Sequence, residues 1–186
     1  MRSPPRTIDL HSEAATLLDT MIESLPGVAY FYDHTGRFLR WNRNFEVVSG
    51  YSGEEIAQMH PLDFFSSSHK ELLESRIGEV FEKGESSVEA PFVARDGTET
   101  PYFFTGRRVF FQGGFCLVGV GIDITDRRVA EERVAESERK YRELVEHANS
   151  IILRWDRHGR ITFLNEFGQR FFGYTAEEIA GRLVVG

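Results

Sequence analysis

Apolar residues recur at helical spacing in two stretches of the chain. From Ser12 to Ser24 they fall three and four positions apart, and Pro26-Gly27 then breaks the pattern. A second helical pattern runs from about His69 to Lys83 and stops at Gly84. The apolar positions are Ala14, Leu17, Leu18, Met21 and Ile22 in the first stretch, and Leu73, Ile77, Val80 and Phe81 in the second. Each pattern predicts an amphipathic helix with one buried face.

Beyond Gly84 the apolar residues recur at every second position, which is typical of β-strands. Two turn-like segments, Asp96-Gly97 and Gln112-Gly113-Gly114, divide this part into three long strands. Two shorter strands are expected earlier, on either side of the turn Asp33-His34-Thr35-Gly36. The five predicted strands are Val28–Tyr32, Arg37–Trp41, Val88–Arg95, Thr100–Phe111 and Phe115–Ile124. This order predicts an α+β fold in which a five-stranded antiparallel sheet carries its helices on one face.

Residues suited to capping stand where three short helices are expected to begin. Asn42 is placed to cap a helix that Gly50 ends. Ser52-Gly53-Glu54-Glu55 has the pattern of a capping box, in which the first and fourth side chains each accept a hydrogen bond from the other's backbone N–H. Thr175-Ala176-Glu177-Glu178 has the same pattern.

The two capping boxes belong to a longer internal repeat. Sliding the chain by 123 positions (156 − 33) superposes Asp33 on Asp156 without a gap. Ten of the 25 positions from Asp33 to Ala57 are then identical, whereas unrelated stretches match at roughly one or two. Gly186 corresponds to Asp63 at this offset. We therefore interpret the chain as one complete unit followed by the first part of another, taken from a longer, modular protein.

Composition limits the partners that this chain is expected to have. It carries 22 Lys and Arg against 29 Asp and Glu, a formal net charge of −7, and an acidic surface does not attract nucleic acid or anionic lipid. No run of about 20 apolar residues is present, and Met1 to His11 lacks the apolar core of a secretory signal. We expect a soluble, cytoplasmic fragment without a membrane segment. The lone Cys116 is expected to be a small buried residue rather than a nucleophile.

Both copies resemble PAS domains, the sensory modules of bacterial signalling proteins. The resemblance rests on Asp33-x-x-Gly36, on Asn42, on Gly50-Tyr51-x-x-Glu54-Glu55-Ile56 and on Gly119-Val-Gly121-Ile-Asp123-Ile-Thr125 at the end of the last strand. It covers about residues 21–126 fully and residues 144–186 in part. It implies a sheet of order 2-1-5-4-3 whose concave face is covered by helices and encloses a pocket for a small molecule or cofactor.

The resemblance also implies a division of the chain into four parts. These are an N-terminal helix over 1–24, a complete PAS domain over 25–125, a signalling helix over 126–148, and the N-terminal part of a second, truncated PAS domain over 149–186. Such a module binds a small ligand or partner and relays the signal to an output domain outside the fragment, most often a histidine kinase of a two-component system. The alternatives are an input module of a diguanylate cyclase or phosphodiesterase, and a ligand-free dimerisation scaffold.

The ligand-pocket candidates are aromatic, aliphatic and glycine residues of the first copy: Trp41, Phe45, Phe65, Ile77, Phe104, Gly119 and Gly121. Gly119 and Gly121 alternate along the last strand and therefore share one face. They either leave room for a ligand or let Trp41 or a helix approach closely. The phenylalanines expected inside, Phe31, Phe45, Phe64, Phe65, Phe104 and Phe115, fit a plain core better than a cofactor site.

The cofactor is unknown, and two cofactors are argued against. Flavin light sensors of the family need a reactive cysteine in an Asn-Cys-Arg-Phe context, and the corresponding stretch Gln58 to Ser68 contains no cysteine. Haem-binding members use a histidine inside the long helix, where this chain has Leu72 and Leu73, about one turn beyond His69. His34, His60 and His158 stand in turns without other ligands at metal-binding spacing, so no metal site is predicted.

The connector after the sheet predicts a helix that carries the signal. Thr125 can cap it, and a seam of heptad-like spacing follows at Ala130, Val134, Ser137, Tyr141, Leu144 and Ala148. The seam contains small and polar residues, so it predicts weak, switchable pairing in a homodimer, to which Leu17, Leu18 and Met21 of the N-terminal helix also contribute. The alternative is a single helix that packs one side on its own domain. The relay candidates are Asp123, Thr125, Tyr141 and Leu144.

No motif for catalysis is found in the sequence. It has neither a phosphate-binding loop nor a Gly-x-Ser-x-Gly turn, and Glu54 and Glu55 are accounted for by capping. His147 lacks the Glu-x-x-Thr/Asn-Pro context of a phosphoacceptor histidine. The fragment is therefore predicted not to be an enzyme, and any catalysis is assigned to sequence outside it.

Overall fold

The computed structural model describes residues 10–185, without the side chains of residues 10–15 and 18. The chain forms two compact units that divide between Asp126 and Arg127. The elements of the first unit are α1 Leu10–Glu23, β1 Val28–Asp33, β2 Phe38–Trp41, α2 Arg43–Ser49, α3 Gly53–Ile56, a 3-10 turn Pro61–Phe64, α4 Ser67–Lys83, β3 Glu85–Val93, β4 Glu99–Phe111 and β5 Gly114–Asp123.

The five strands form one antiparallel sheet of order β2-β1-β5-β4-β3, which confirms the predicted topology. Strands β4 and β5 pair along their length, from Tyr102 opposite Asp123 to Phe111 opposite Gly114. Strand β3 begins three residues earlier than predicted because its pairing with β4 already starts at Glu85, opposite Arg107. Helix α4 likewise begins at Ser67 rather than His69.

The predicted turn and caps of the first unit are confirmed. The Asp33 Oδ1 accepts hydrogen bonds from the backbone N–H of Thr35 and of Arg37, and Gly36 takes a φ of 84° that favours glycine. The Asn42 Oδ1 accepts from the Phe45 N–H at the start of α2. Ser52 and Glu55 form the capping box of α3. These local contacts orient the helices that cover the sheet.

The core of the first unit lies between the concave face of the sheet and these helices. It is mainly aromatic, and the rings of Phe64 and Phe92 stack with centroids 5.5 Å apart. Helix α4 buries Leu73 and Val80 against the sheet. The expectation that Phe115 is interior is wrong, because Phe115 lies at the β4–β5 hairpin, pairs with exposed Phe110 and is itself 49% exposed.

Helix α5, Thr125–Glu146, follows the sheet, and none of its side chains is buried. The second unit continues with β6 Leu153–Trp155, β7 Ile161–Leu164, α6 Glu166–Phe172 and α7 Ala176–Ile179. Strands β6 and β7 form a two-stranded sheet, over which Ile161, Leu164 and Ile179 make a small core. The Thr175 capping box is present as predicted. Within residues 10–185 no helix has the length and apolar character needed to cross a bilayer.

Candidate ligand cavity

A small cavity lies between helix α4 and the concave face of the sheet in the first unit. Its volume is about 70 Å³, several times the roughly 10–15 Å³ that a cavity needs to hold one water molecule. Leu73, Ile77 and Val80 of α4 form one wall, and Phe104, Gly106 and Leu117 of the sheet form the facing wall. Because most of the lining side chains are aromatic or aliphatic, the cavity favours a compact apolar molecule.

Four of the predicted pocket residues, Phe45, Phe65, Ile77 and Phe104, line this cavity. Trp41 does not line it. The indole Nε1 of Trp41 donates to the Glu46 Oε1 at 3.0 Å, and the residue borders a separate, more open hollow of about 400 Å³. That hollow lies between the end of α1 and the outer face of the sheet, on the other side of the sheet from α4.

Of the two alternatives for Gly119 and Gly121, room for a ligand or close approach of a neighbour, the structure shows close approach. A Cβ built on Gly121 would lie 2.5 Å from a ring carbon of Phe104, and one on Gly119 would lie 2.6 Å from a ring carbon of Tyr30. The Tyr30 ring crosses Gly119, and its hydroxyl donates to the Thr105 carbonyl at 2.9 Å. The two glycines therefore allow neighbouring groups to approach the strand closely. The groups that approach are aromatic rings of the sheet, Tyr30 at Gly119 and Phe104 at Gly121, rather than Trp41 or a helix.

Charged groups meet at the C-terminal part of α4, beside the cavity. Glu79 accepts hydrogen bonds from the side chains of Arg76 at 2.9 Å, Lys83 at 3.1 Å and Ser86 at 2.9 Å. These bonds lower the pKa of Glu79 to about 2, and the bond from Arg76 has the largest effect. Arg76 and Ser86 also line the cavity, so this network forms its polar boundary.

The sequence analysis missed Arg76, Ser86 and Gly106 as cavity residues. A signal for Arg76 was present, because it lies three residues after Leu73 and next to Ile77, on the apolar stripe of α4. Gly106 continues the alternation of Tyr102 and Phe104 on the inner face of β4. Ser86 carried no such signal, since strand β3 was expected to begin only at Val88.

The cavity does not fit a flavin or a haem. Sites for ligands of such size usually measure about 300–1,000 Å³, far above the 70 Å³ found here. Leu73, at the position where haem-binding members carry their histidine, is 3% exposed and packs with Leu62 and Ala90. The His69 ring lies within hydrogen-bond distance of the Ser66 and Ser68 hydroxyls at the start of α4. We derive no chemistry through either cofactor.

Among the residues that the structure describes, neither the lone cysteine nor a group of metal-ligating side chains forms a second site. Cys116 is 4% exposed, and its burial, together with nearby Asp33, raises the pKa of its thiol, which disfavours a nucleophilic thiolate. In the part of the chain that the structure describes, no group of three His, Cys, Asp or Glu side chains is arranged to hold a metal ion.

The predicted relay residues lie at both ends of α5. At its start, the Asp123 Oδ1 accepts from the Thr125 N–H at 2.8 Å. The helix begins at Thr125, one residue earlier than expected. Towards its end, Tyr141 and Leu144 are 69% and 74% exposed. On α1, Leu17 and Met21 are likewise exposed, and the side chain of Leu18 lies outside the described residues.

Two parts of the chain, residues 22–129 and residues 139–186, match family models that describe the PAS fold. The crystal structure of the PAS domain of a Desulfitobacterium hafniense protein has a TM-score of 0.51 and 24% identity, and the match covers 56% of this chain and 98% of that chain. A likeness at that identity shows the fold alone.

Two curated relatives are named as a kinase and as a two-component sensor. Sporulation kinase E of Bacillus subtilis is 25% identical over 154 residues, which cover 83% of this chain and 20% of that protein. Two-component sensor PprA of Pseudomonas aeruginosa is 34% identical over 65 residues, which cover 35% of this chain and 7% of that protein. The chain thus matches a fifth or less of the length of either relative.

Proposed function

The chain belongs to the PAS fold family, and on that premise we propose that its first unit is a cytoplasmic sensory domain. In this proposal the cavity beneath α4 binds a small molecule, and α5 relays the occupancy of the cavity to an output domain, a histidine kinase. The fragment itself performs no catalysis. The observation that carries the proposal is the apolar cavity between α4 and the sheet.

The size of the cavity limits both the ligand and its affinity. A volume of about 70 Å³ is small beside the roughly 300–1,000 Å³ of sites for larger ligands. Each non-hydrogen atom of a very small ligand contributes at best about 1.5 kcal/mol, so a ligand of about five such atoms has a dissociation constant of about micromolar or above. Binding of that strength suits a domain that senses a metabolite present at micromolar to millimolar concentration.

A short path leads from the cavity to α5. Leu117 of β5 forms part of the cavity wall, and β5 ends at Asp123. Ile124, which is 7% exposed, is the one residue between β5 and α5. A shift of β5 therefore reaches the first turn of α5, where the Asp123 carboxylate holds the Thr125 N–H.

Native mass spectrometry after gentle purification, combined with an absorbance spectrum, tests the proposal. We expect a small adduct on the chain and no visible chromophore. The variant Ile77→Phe fills the cavity and should abolish the adduct, whereas Val47→Phe, at a residue that is 70% exposed, should leave it unchanged. If Ile77→Phe folds and retains the adduct, the cavity is not the ligand site.

The second candidate is a ligand-free dimerisation scaffold. The exposed apolar residues Leu17, Met21, Tyr141 and Leu144 favour it, because unpartnered apolar positions on helices commonly pair. Replacing Tyr141 and Leu144 by Glu places like charges in that seam and should convert a dimer into monomers in sedimentation. An unchanged dimer would assign the interface elsewhere.

A further inference from the structure

The hairpin of β4 and β5 extends beyond the strands on either side of it. Strand β3 begins at Glu85, opposite Arg107, and β1 ends at Asp33, opposite Cys116. The end of the hairpin, residues 110–115, therefore has no neighbouring strand and is called the hairpin tip below. At about 3.3 Å per residue, β4 projects roughly 13 Å past the start of β3.

The hairpin tip exposes aromatic side chains on both of its faces. Phe110 and Phe115 lie opposite each other with ring centroids 5.6 Å apart, on the face that further along β4 carries the buried Phe104. Phe111 lies on the other face, where its ring contacts Phe31. Phe110, Phe115 and Phe111 are 69%, 49% and 45% exposed, and they are the only exposed phenylalanines among the described residues of the first unit.

The hairpin carries positive charge and no acidic residue of its own. Residues 101–122 include Arg107 and Arg108 but neither Asp nor Glu, although the whole chain has a net charge of −7. The Arg107 side chain is 73% exposed and pairs at 2.9 Å with Glu85, whose side chain is 70% exposed. Such a surface ion pair contributes little, so a phosphate group can replace the carboxylate. The Arg108 guanidinium lies over the Phe115 ring, 4.7 Å from its centroid. Both cations stand at the base of the hairpin tip.

We propose that the hairpin tip docks on the surface of a lipid bilayer. In the docked state its three phenylalanines enter the boundary between headgroups and acyl chains, and Arg107 and Arg108 lie at the level of the phosphates. The backbone of the tip is suited to this environment, because Phe110 pairs with Phe115 and Phe111 with Gly114 across the hairpin. Few backbone polar groups are then left unpaired in the apolar layer.

The geometry favours a bilayer over a protein partner. A lipid interface surrounds an inserted tip and covers both aromatic faces at once, whereas a protein docked on one face leaves the other in water. The three rings together expose roughly 300 Å², taking about 200 Å² for a whole phenylalanine. Each partner in a stable protein interface buries about 800 Å², so the tip alone is too small for such an interface.

Flotation of the full chain with vesicles of phosphatidylcholine and phosphatidylglycerol tests the docking. We expect the wild type to float with the vesicles. The triple variant Phe110→Ser, Phe111→Ser, Phe115→Ser should bind at least about tenfold more weakly. The matched control is Val47→Ser with Leu72→Ser, which replaces exposed apolar residues of α2 and α4 and should float like the wild type.

Two further variants test the charge and the inserted position. Arg107→Gln should weaken binding to the mixed vesicles about fivefold and leave binding to phosphatidylcholine vesicles unchanged. Phe111→Trp should show indole emission that shifts to shorter wavelength when vesicles are added, beyond any change in the wild type. Val47→Trp should show no such shift.

The proposal is overturned if the wild type does not float at millimolar lipid, or if the triple serine variant floats as well as the wild type. A dimer in sedimentation that the triple variant abolishes, without flotation of the wild type, would also overturn it and assign the tip to a second copy of the chain. The variants leave the cavity beneath α4 unchanged, so a ligand adduct should persist in each of them whichever result is found.

Discussion

The Glu146 carboxylate, in the last turn of α5, accepts a hydrogen bond from the backbone N–H of Glu166, with 3.1 Å between Oε2 and N. The same contact occurs 123 positions earlier (146 − 23), where the Glu23 Oε2 at the end of α1 accepts from the Arg43 N–H at 2.9 Å. In each unit a glutamate that ends the preceding helix thus holds the first residue of the helix after the hairpin.

A buried asparagine reinforces this contact in both units. The Asn42 Oδ1 accepts from the Ala29 and Phe45 N–H groups, and its Nδ2 donates to the Gly27 carbonyl. Asn165 repeats all three contacts with Ile152, Gly168 and Ser150, and its Nδ2 also donates to the Val145 carbonyl of α5. Glu146 therefore holds the end of α5 as Glu23 holds the end of α1, and Asn165 adds a second bond to α5.

Glu146→Ala tests this glutamate contact. The variant removes the acceptor for the Glu166 N–H, so we expect a loss of about 0.5–1.5 kcal/mol locally and faster amide exchange at Glu166. Glu23→Ala should act in the same way on Arg43. Glu143→Ala, one turn earlier on α5, is the matched control, and equal exchange at Glu166 in all variants would contradict the proposed contact.

Gly121→Ala should destabilise the first unit. The added methyl would overlap the Phe104 ring and the Val28 side chain, 2.5 Å and 2.8 Å from the new Cβ, and overpacking of this kind costs about 1–3 kcal/mol. Adding Phe104→Leu should restore part of the loss in urea unfolding. Gly78 in α4 has no atom within 4 Å of the corresponding position, so Gly78→Ala should instead stabilise by about 0.5–1 kcal/mol.

Tyr30 makes the first unit sensitive to alkaline pH. Burial, with a smaller effect of Tyr32, raises the pKa of Tyr30 well above its ordinary value of 10.0. The unfolded chain therefore loses protons near pH 10 that the folded chain keeps, so stability present below pH 10 falls as the pH rises further. In urea unfolding, the free energy of unfolding should fall less with rising pH for Tyr30→Phe than for the wild type. For Tyr141→Phe, at an exposed position, it should fall as much as for the wild type.

Much of the fold could be predicted because its signals are local. Asn42 and Ser52 each cap a helix by accepting from a backbone N–H three residues further on, and the strand pattern marks which residues face the helices. The contact between Gly119 and the Tyr30 ring could not be predicted in this way. The Tyr30 ring reaches Gly119 only because β1 and β5, 89 positions apart (119 − 30), pair in a register that places the two residues opposite each other.

The cavity itself was less predictable than the fold. The size of the cavity depends on how side chains from eight elements interdigitate, and no spacing pattern in the sequence predicts that packing. Phe45 and Phe104 were expected near a pocket because they are aromatic and face inward. Arg76 was overlooked because a charged residue on a helix normally faces solvent, and only the packing of α4 reveals its buried Nε.

Lowering the pH should weaken the hydrogen-bond network around Glu79. Its pKa is lowered from 4.5 to about 2 by hydrogen bonds from Arg76, Lys83 and Ser86, so the stability linked to this group is complete above pH 4.5 and is lost as the pH falls towards 2. An NMR titration of the Glu79 carboxyl carbon should give a midpoint near 2. Arg76→Met removes the largest cause and should raise that midpoint, whereas Arg107→Met, whose guanidinium pairs with Glu85, should not. A midpoint that stays unchanged in Arg76→Met would contradict the assigned cause.

The hairpin of the second unit should be less protected from hydrogen exchange than its counterpart in the first. Strand β1 is paired on both edges, with β2 and β5, whereas β6 is paired only with β7. A two-stranded sheet is marginal in water, and large side chains beside it stay exposed, with Trp155 at 55% and Phe171 at 67%. We expect amides of β6 and β7 to exchange much faster than those of β1 and β2, although both hairpins share the same Asp-x-x-Gly turn. Equal protection in a dilute monomer would mean that contacts beyond the small Ile161, Leu164 and Ile179 core stabilise the second unit.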